Sequence, residues 1–221
     1  MHSANLRRSG KIANMDSLAA LTGGAPVAGV LLAVMVAASA IGLVAAPGLI
    51  EKSLFRPHWL VPKGEYATLL TSGFVHADFM HLLFNAFTFW AFGFGLERAI
   101  GSERFFWLYA VGLLASDFGT WLRHRDKPDY RTLGASGAIT AVLFASIVYF
   151  PTGSIYILPI PVAIPAPLFA FAYLAYTWYA SRRQGGRINH DAHFSGALAG
   201  IAFVALTDGA AIGRAWRQLV G

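Results

Sequence analysis

Residues 132–150, TLGASGAITAVLFASIVYF, form an apolar segment that carries Ser136 near its start. Arg131 immediately precedes the segment, and no charged residue falls within it. A segment of this length and composition is typical of one membrane-spanning helix. A second apolar segment, residues 192–212, has His193 near its start. One polar side chain therefore stands at the head of each of two apolar segments.

The composition of the chain indicates that these segments lie in a membrane. Of the 221 residues, 56% are hydrophobic and 13% are charged, and the mean hydropathy is +0.54. These proportions differ from those of soluble domains. The sequence contains no cysteine, which excludes disulfide frameworks, thiolate metal sites and a cysteine nucleophile. We therefore expect an integral, multi-pass membrane protein embedded in the lipid bilayer.

Six apolar segments follow one another along the chain, separated by charged or proline-bearing connections. They predict membrane-spanning helices at residues 26–46, 79–96, 105–122, 132–150, 162–180 and 192–212. The predicted fold class is all-α, with six transmembrane helices in one domain. A tail of residues 1–25 precedes this core, and a tail of residues 213–221 follows it.

The distribution of basic residues gives no consistent orientation. Arg7, Arg8 and Lys11 in the first tail favour a cytoplasmic N-terminus. With that orientation, however, seven of the 17 Lys and Arg residues lie on the cytoplasmic side and ten on the other. The formal net charge of +6 suits an anionic membrane surface, and no other feature indicates a nucleic-acid partner.

Polar residues inside the second apolar segment indicate a functional site. Burying such side chains in hydrocarbon is costly unless they face polar partners or water. His81 and Asn85 are four residues apart and share one helix face, and His76 stands just ahead of them. One interpretation is hydrogen bonding between helices, and the other is a set of donors aimed at one reacting group.

Ser136 also has two interpretations. Its hydroxyl caps the helix that begins here, or it is a nucleophile that the small neighbours Gly134 and Gly137 leave exposed. A serine nucleophile needs a base, and the neutral imidazole of His193 is suited to that task.

Small residues recur every four positions in both of these segments. Gly137 and Ala141 form one such stripe, and Ala192, Gly196 and Gly200 form the other. In a six-helix protein the fourth and sixth helices are parallel, so close packing along these stripes brings the two segment heads to the same depth.

Together these motifs resemble the rhomboid intramembrane serine proteases. The matching motifs are His76/His81/Asn85, Gly93/Glu97/Gly101, Gly134-Ala135-Ser136-Gly137 and Ala192-His193/Gly196/Gly200. They occur in the order and with the spacings of that family, between residues 49 and 208. The resemblance implies the six-helix rhomboid core and cleavage of membrane proteins at or near a transmembrane segment.

The resemblance also implies roles for individual residues. Ser136 is expected to be the nucleophile and His193 the general base, with an oxyanion hole formed by His81, Asn85 and the Ser136 backbone N–H. The residues expected to support this site are His76, Gly134, Gly137, Gly196, Gly200, Glu97 and Thr140. No cofactor and no metal are expected, the expected substrates are single-span membrane proteins, and the expected location is a bacterial inner membrane.

Three positions depart from the pattern of many relatives. Ala67 and Thr68 stand where a Trp-Arg pair is common, and Thr140 stands where an aromatic residue packs on the catalytic histidine. Asp191 precedes His193 by two residues, and an N-cap role is expected for it rather than a third catalytic role.

Other classes of protein fit the sequence less well. A catalytically silent rhomboid-like protein that binds membrane clients is the alternative, although it would normally have lost Ser136 or His193. A transporter does not need both motifs, and the sequence has no HExxH motif of a metalloprotease.

Overall fold

The computed structural model describes residues 20–157, 159–183 and 188–221, and the structural statements below concern these ranges. Most of the predicted N-terminal tail, including Arg7, Arg8 and Lys11, lies outside the described residues. Arg187, one of the basic residues counted for orientation, also lies outside them.

The described residues are largely helical. The helices are α1 (Pro26–Ala40, extended by a π-helical turn, Ile41–Ala45), α2 (Pro47–Ser53), α3 (Thr68–Thr71, followed by a 3-10 turn, Ser72–Phe74), α4 (Phe79–Ile100), α5 (Ser102–His124), α6 (Ser136–Tyr149), α7 (Ala166–Ser181), α8 (His190–Thr207) and α9 (Gly209–Val220). Strands β1 (Ser154–Ile157) and β2 (Ile160–Pro165) form an antiparallel hairpin between α6 and α7.

Within these ranges, three helices are long and apolar enough to cross a membrane. They are α1 with its π-helical turn, α4 and α5. Helices α8 and α9 together would give a fourth span, but they meet at an angle of 105°, and α6 is a shorter apolar helix. The membrane character of the fold is therefore clear, whereas the count of six spans stays a prediction.

The fourth apolar helix begins at Ser136, four residues later than the predicted start at Thr132. Residues 132–135 cannot be helical because Thr132 pairs with Phe55 in an isolated bridge, with N···O distances of 2.9 and 3.0 Å. Gly134 adds a φ angle of +121°, which is outside the helical region.

The predicted fifth span, 162–180, is also wrong at its start, because β2 occupies residues up to Pro165. Pro161 and Pro165 lack the backbone N–H that a helix interior requires, and α7 begins only after them. The resulting two-stranded hairpin is the exception to the all-α prediction.

The predicted sixth span, 192–212, is broken at Asp208. Asp208 has an extended φ of −151°, and its carboxylate accepts hydrogen bonds from the Tyr149 hydroxyl at 3.0 Å and from Arg214 at 2.8 Å. Helix α9 leaves from this point, so most of the predicted C-terminal tail is helical.

Helix α6 is the central element, and nearly all of it is buried, from Gly137 to Ile147. It packs most closely on α8. A Cβ atom built on Gly196 would lie 2.1 Å from the Gly137 carbonyl oxygen, and one on Gly200 would lie 2.2 Å from the Ala141 carbonyl oxygen. No side chain fits at either contact, so the two backbones touch directly.

Glu97 joins three helix ends at the opposite side of the bundle from Ser136. Its carboxylate accepts hydrogen bonds from the backbone N–H of Val27 at 3.0 Å, from that of Ala28 at 2.6 Å and from the Ser102 hydroxyl at 2.6 Å. The residue is 1% exposed. A carboxylate at a helix N-terminus satisfies unpaired N–H groups and stabilises the helix dipole, so Glu97 fixes α1 to α4 and α5.

We predict that Gly200→Ala destabilises the protein by about 1–3 kcal/mol, because the added methyl group must push α6 and α8 apart. Gly95→Ala is the matched control, since a Cβ on Gly95 meets nothing within 4 Å. It should leave stability unchanged or raise it by up to about 1 kcal/mol through helix propensity. Thermal unfolding in detergent measures both effects, and equal melting temperatures for the two variants would contradict the proposed packing.

Candidate functional site

Ser136 is the first residue of α6, and its side chain does not cap the helix. Ala135 occupies the N-cap position, and its methyl side chain makes no capping hydrogen bond. The capping interpretation of Ser136 therefore has no hydrogen bond to support it. The first N–H groups of a helix lack partners within the helix, which leaves donors beside the Ser136 hydroxyl.

Gly134 shapes the turn that leads into Ser136. Its φ of +121° is one that side-chain-bearing residues rarely adopt, and a Cβ atom there would lie 2.5 Å from the His81 ring. Glycine is thus required both by the backbone conformation and by the His81 ring that packs on the turn. This contact places His81 directly against the segment that carries Ser136.

His76 is fully buried and hydrogen-bonds to the same turn, which leads into Ser136. Its Nε2 accepts a hydrogen bond from the Ala135 N–H at 3.4 Å, and its Nδ1 lies 2.9 Å from the Ser39 hydroxyl on α1. Burial and then the neighbouring His81 lower the pKa of His76 to about 3, so the ring is neutral. Because Nε2 accepts, Nδ1 carries the proton and donates it to Ser39. His76 therefore connects the Ser136 turn to α1.

His81 and Asn85 lie at the start of α4, where Asp78 caps the helix by accepting from the His81 N–H at 2.8 Å. Asn85 is buried, and its amide donates to the His81 carbonyl at 2.9 Å. The rings of His81 and His76 meet edge to face at 4.8 Å.

His193 lies in the first turn of α8, close to the start of α6. The contact between Gly137 and Gly196 brings the two helix starts together, and a Cβ on Gly137 would lie 3.3 Å from the Ala192 carbonyl oxygen. Ser136 and His193 adjoin these contact residues in sequence. No hydrogen bond joins their side chains within the described residues, and such bonds are often loose before substrate binds.

Tyr173 of α7 makes the closest polar contact to His193, and the sequence did not single it out. Its hydroxyl lies 3.0 Å from His193 Nδ1, and the two rings are nearly parallel, at 18°. Three tyrosines lie within seven residues of α7, at 173, 176 and 179. The sequence offered no signal for which of them faces the histidine.

Thr140, expected near His193, has a different contact. Its hydroxyl donates to the Ser136 carbonyl oxygen at 2.7 Å, one turn back in the same helix. Among the hydrogen bonds of the described residues, none joins Thr140 to His193.

Asp191 is not the N-cap of α8, contrary to expectation. Asn189 holds that position, accepting from the Ala192 N–H at 3.0 Å, and its amide donates to Thr120 of α5 at 2.9 Å. Asp191 instead lies 2.8 Å from Nε2 of His124 at the end of α5. Both contacts fasten the start of α8 to α5, and neither involves His193.

The loop ahead of α4 is anchored without a Trp-Arg pair at Ala67 and Thr68. Arg56 donates two hydrogen bonds to the Glu65 carboxylate, at 3.0 and 2.7 Å. Trp59 donates to the Pro128 carbonyl at 3.1 Å, and this ties the loop to the connection between α5 and α6.

Within the part of the chain that the structure describes, no three His, Asp or Glu side chains cluster in a way that could hold a metal ion. The groups around Ser136 are hydroxyls, imidazoles and amides. This set of groups can transfer protons and donate hydrogen bonds to an oxyanion.

Comparison with known proteins gives consistent matches. The putative rhomboid protease YdcA of Bacillus subtilis is 40% identical over 79 residues, covering 36% of this chain and 39% of that protein. Rhomboid protein 1, mitochondrial, of Saccharomyces cerevisiae is 28% identical over 156 residues, covering 67% of this chain and 45% of that protein. The human presenilin-associated rhomboid-like protein, mitochondrial, is 30% identical over 138 residues, covering 62% of this chain and 36% of that protein.

The chain thus spans less than half the length of each of these relatives. A model of the Rhomboid domain matches residues 63–208, a range that runs from the loop ahead of α4 to the end of α8. Because this match covers more than half of the sequence, the chain belongs to the rhomboid family.

Proposed function

We propose that this protein is an intramembrane serine endopeptidase in which Ser136 is the nucleophile and His193 the general base. The observation that carries the proposal is the direct backbone contact of Gly137 with Gly196, which holds the starts of α6 and α8 side by side. His81 of α4 packs on Gly134, two residues before Ser136, and Asn85 lies one turn further along the same helix. Family membership supports the assignment of a proteolytic reaction.

In this mechanism the Ser136 oxygen attacks the carbonyl carbon of the scissile peptide bond. His193 takes the hydroxyl proton and passes it to the nitrogen of the leaving amine. A water molecule then hydrolyses the acyl-enzyme, with His193 again as the base. In both steps His193 carries the proton that is transferred.

The tetrahedral intermediate carries a negative oxygen that needs hydrogen-bond donors. The Ser136 backbone N–H is available at the start of α6, and the Asn85 amide has a second N–H beyond the one given to His81. His81 packs against the turn ahead of Ser136. Together these groups form the proposed oxyanion hole.

The proposed substrates are single-span membrane proteins, and the proposed core has six membrane-spanning helices. The short helix α6 is compatible with a count of six spans, because it is buried within the protein rather than exposed to lipid. Two of the three relatives described above are mitochondrial, so the comparisons do not support the predicted bacterial inner membrane.

The decisive test compares wild-type protein with Ser136→Ala and His193→Ala in liposomes that contain a single-span model substrate. We expect cleavage by wild type and a fall of roughly 1000-fold or more in each variant, because the nucleophile or its base is lost. A serine-directed fluorophosphonate should label only proteins that retain Ser136. Cleavage that persists in both variants would exclude the dyad. A wild-type protein that neither cleaves nor is labelled would favour the catalytically silent alternative.

The oxyanion hole is tested with Asn85→Ala. We expect kcat to fall roughly 100- to 1000-fold with little change in KM, because the lost donor acts mainly in the transition state. Thr88→Val is the control in the same helix, since the Thr88 hydroxyl donates to the Phe84 carbonyl within α4. An equal loss of kcat in both variants would assign the effect to α4 packing.

Asp191→Ala distinguishes a dyad from a triad. Asp191 pairs with His124, so we expect the variant to lose about 1.5–3 kcal/mol of stability while kcat changes less than about tenfold. A true triad aspartate would lower kcat by roughly 10,000-fold. Adding His124→Ala should cost further stability only through the lost stacking of His124 on Tyr130, because either change alone breaks the Asp191–His124 pair.

A further inference from the structure

A cavity of about 870 Å³ lies where α5 and α7 end and α8 begins, on the same side of the protein as Ser136. His190, the first residue of α8, lines this cavity, and its ring lies 6.2 Å from the His193 ring. The described lining includes neither Ser136 nor His193. The cavity is therefore a neighbour of the candidate functional site and not a part of it.

The inner wall of the cavity consists of side chains that contact one another. The His124 ring stacks on Tyr130 at 3.6 Å, and its Nε2 lies 2.8 Å from the Asp191 carboxylate. The Asn189 amide donates to the Thr120 hydroxyl at 2.9 Å. These contacts join the end of α5, the connection that follows it and the start of α8, so the fold itself fixes the position of this wall.

The cavity is also lined by cationic side chains. Lysine and arginine contribute five of its residues, which are Arg123, Lys127, Arg131, Arg182 and Arg183. Within the described ranges, none of these five side chains forms an ion pair. We refer to this space as the basic cavity.

Three carboxylates line the basic cavity as well, but two of them have partners. Asp191 lies against His124, and Asp126 lies 3.9 Å from Arg125, which is not in the described lining. Asp129 is the third. The cations outnumber the carboxylates, so the charge of the cavity favours an anion from outside the protein.

The position of the basic cavity indicates which anions are present there. Helix α5 is long and apolar enough to cross a membrane, and its last residue, His124, lies in the cavity wall. Arg182 lies 3.8 Å over the Trp178 ring, and Arg183 lies 4.5 Å over the Tyr179 ring. Both aromatic side chains are about half exposed, and tryptophan and tyrosine are enriched at the headgroup level of a bilayer. The basic cavity therefore opens at the level of the phospholipid headgroups.

We propose that the basic cavity binds the phosphate-bearing headgroup of an anionic phospholipid, with Lys127 and Arg131 as its main contacts. Within the described residues, these two side chains make no hydrogen bond or ion pair, so their donors are available. Arg182 adds a third cation from the end of α7. Arginine and lysine both bind phosphate, and basic pockets between membrane helices hold anionic headgroups.

An acidic protein segment would suit the same charge. The lipid is favoured because headgroups are always present at the end of a membrane-crossing helix, beside its exposed aromatic rings. The proposal also gives a reason for the contrary distribution of basic residues. Five of the ten Lys and Arg residues that lie opposite the cytoplasm in the predicted orientation line this one cavity, where they serve a ligand.

The test measures the binding of defined lipids to the Ser136→Ala protein, so that its outcome does not depend on peptidase activity. Native mass spectrometry of the detergent-solubilised protein detects each lipid that stays bound, and a titration gives its Kd. We expect phosphatidylglycerol to bind roughly tenfold or more tightly than phosphatidylcholine with the same acyl chains. Added salt should weaken this binding, because it screens exposed charges.

The double variant Lys127→Gln/Arg131→Gln removes the two main contacts. We expect its Kd for phosphatidylglycerol to rise roughly 10- to 30-fold, because two cations near the phosphate are lost. Lys127→Arg/Arg131→Lys keeps both charges and should retain the binding. Lys52→Gln/Lys63→Gln is the matched control, since it removes the same charge from the loop between α1 and α4, outside the described lining. Its Kd should stay within about twofold of the parent value.

Equal affinity for the two lipids overturns the proposal, and so does an unchanged Kd in Lys127→Gln/Arg131→Gln. A loss that Lys52→Gln/Lys63→Gln shares also overturns it, because the effect would then belong to the overall charge. Inorganic phosphate that displaces the lipid at equal concentration would assign the cavity to a free anion. A polyglutamate peptide that binds through Lys127 and Arg131 where phosphatidylglycerol does not would assign it to an acidic protein segment. Failure of the proposed peptidase function changes none of these measurements.

Discussion

Backbone touches backbone where α6 crosses α8, at Gly137 against Gly196 and at Ala141 against Gly200. In a membrane, where the hydrophobic effect does not favour one apolar helix face over another, such close approach is a main source of helix association. The contact also fixes the register of the two helices, because a shift by one residue would place side chains between them. The position of His193 relative to Ser136 follows from this register.

Several polar groups around that contact hydrogen-bond to one another or to the backbone. The His76 ring joins Ser39 to the backbone of Ala135, Asp78 caps the helix that carries His81, and Asn189 caps the helix that carries His193. Each hydrogen bond lowers the free-energy cost of burying a polar group. The same hydrogen bonds hold the helix starts in place, so they position the candidate site as well as stabilising the fold.

The sequence was sufficient to predict that Ser136, His193, His81 and Asn85 lie in the first two turns of helices, because these polar residues interrupt apolar segments. Their catalytic roles stay a prediction. Segment boundaries were less accurate, since the bridge at Thr132 depends on a partner 77 residues away in the chain. The contact of Tyr173 with His193 was not predictable, because three similarly placed tyrosines share one apolar helix. The pairing of Asp191 with His124 is likewise a product of tertiary packing, and sequence spacing favoured a cap instead.

The length of α6 sets how deep Ser136 lies in the membrane. A helix of 14 residues is about 21 Å long, whereas the hydrocarbon core of a bilayer is about 30 Å thick. If the far end of α6 lies at one edge of that core, its first residue, Ser136, stops about 9 Å short of the other edge. Adding or removing one helical turn at Tyr149 would move the serine by about 5 Å along the membrane normal. If Ser136 is the proposed nucleophile, the length of α6 determines which peptide bond of a membrane-embedded chain lies level with it.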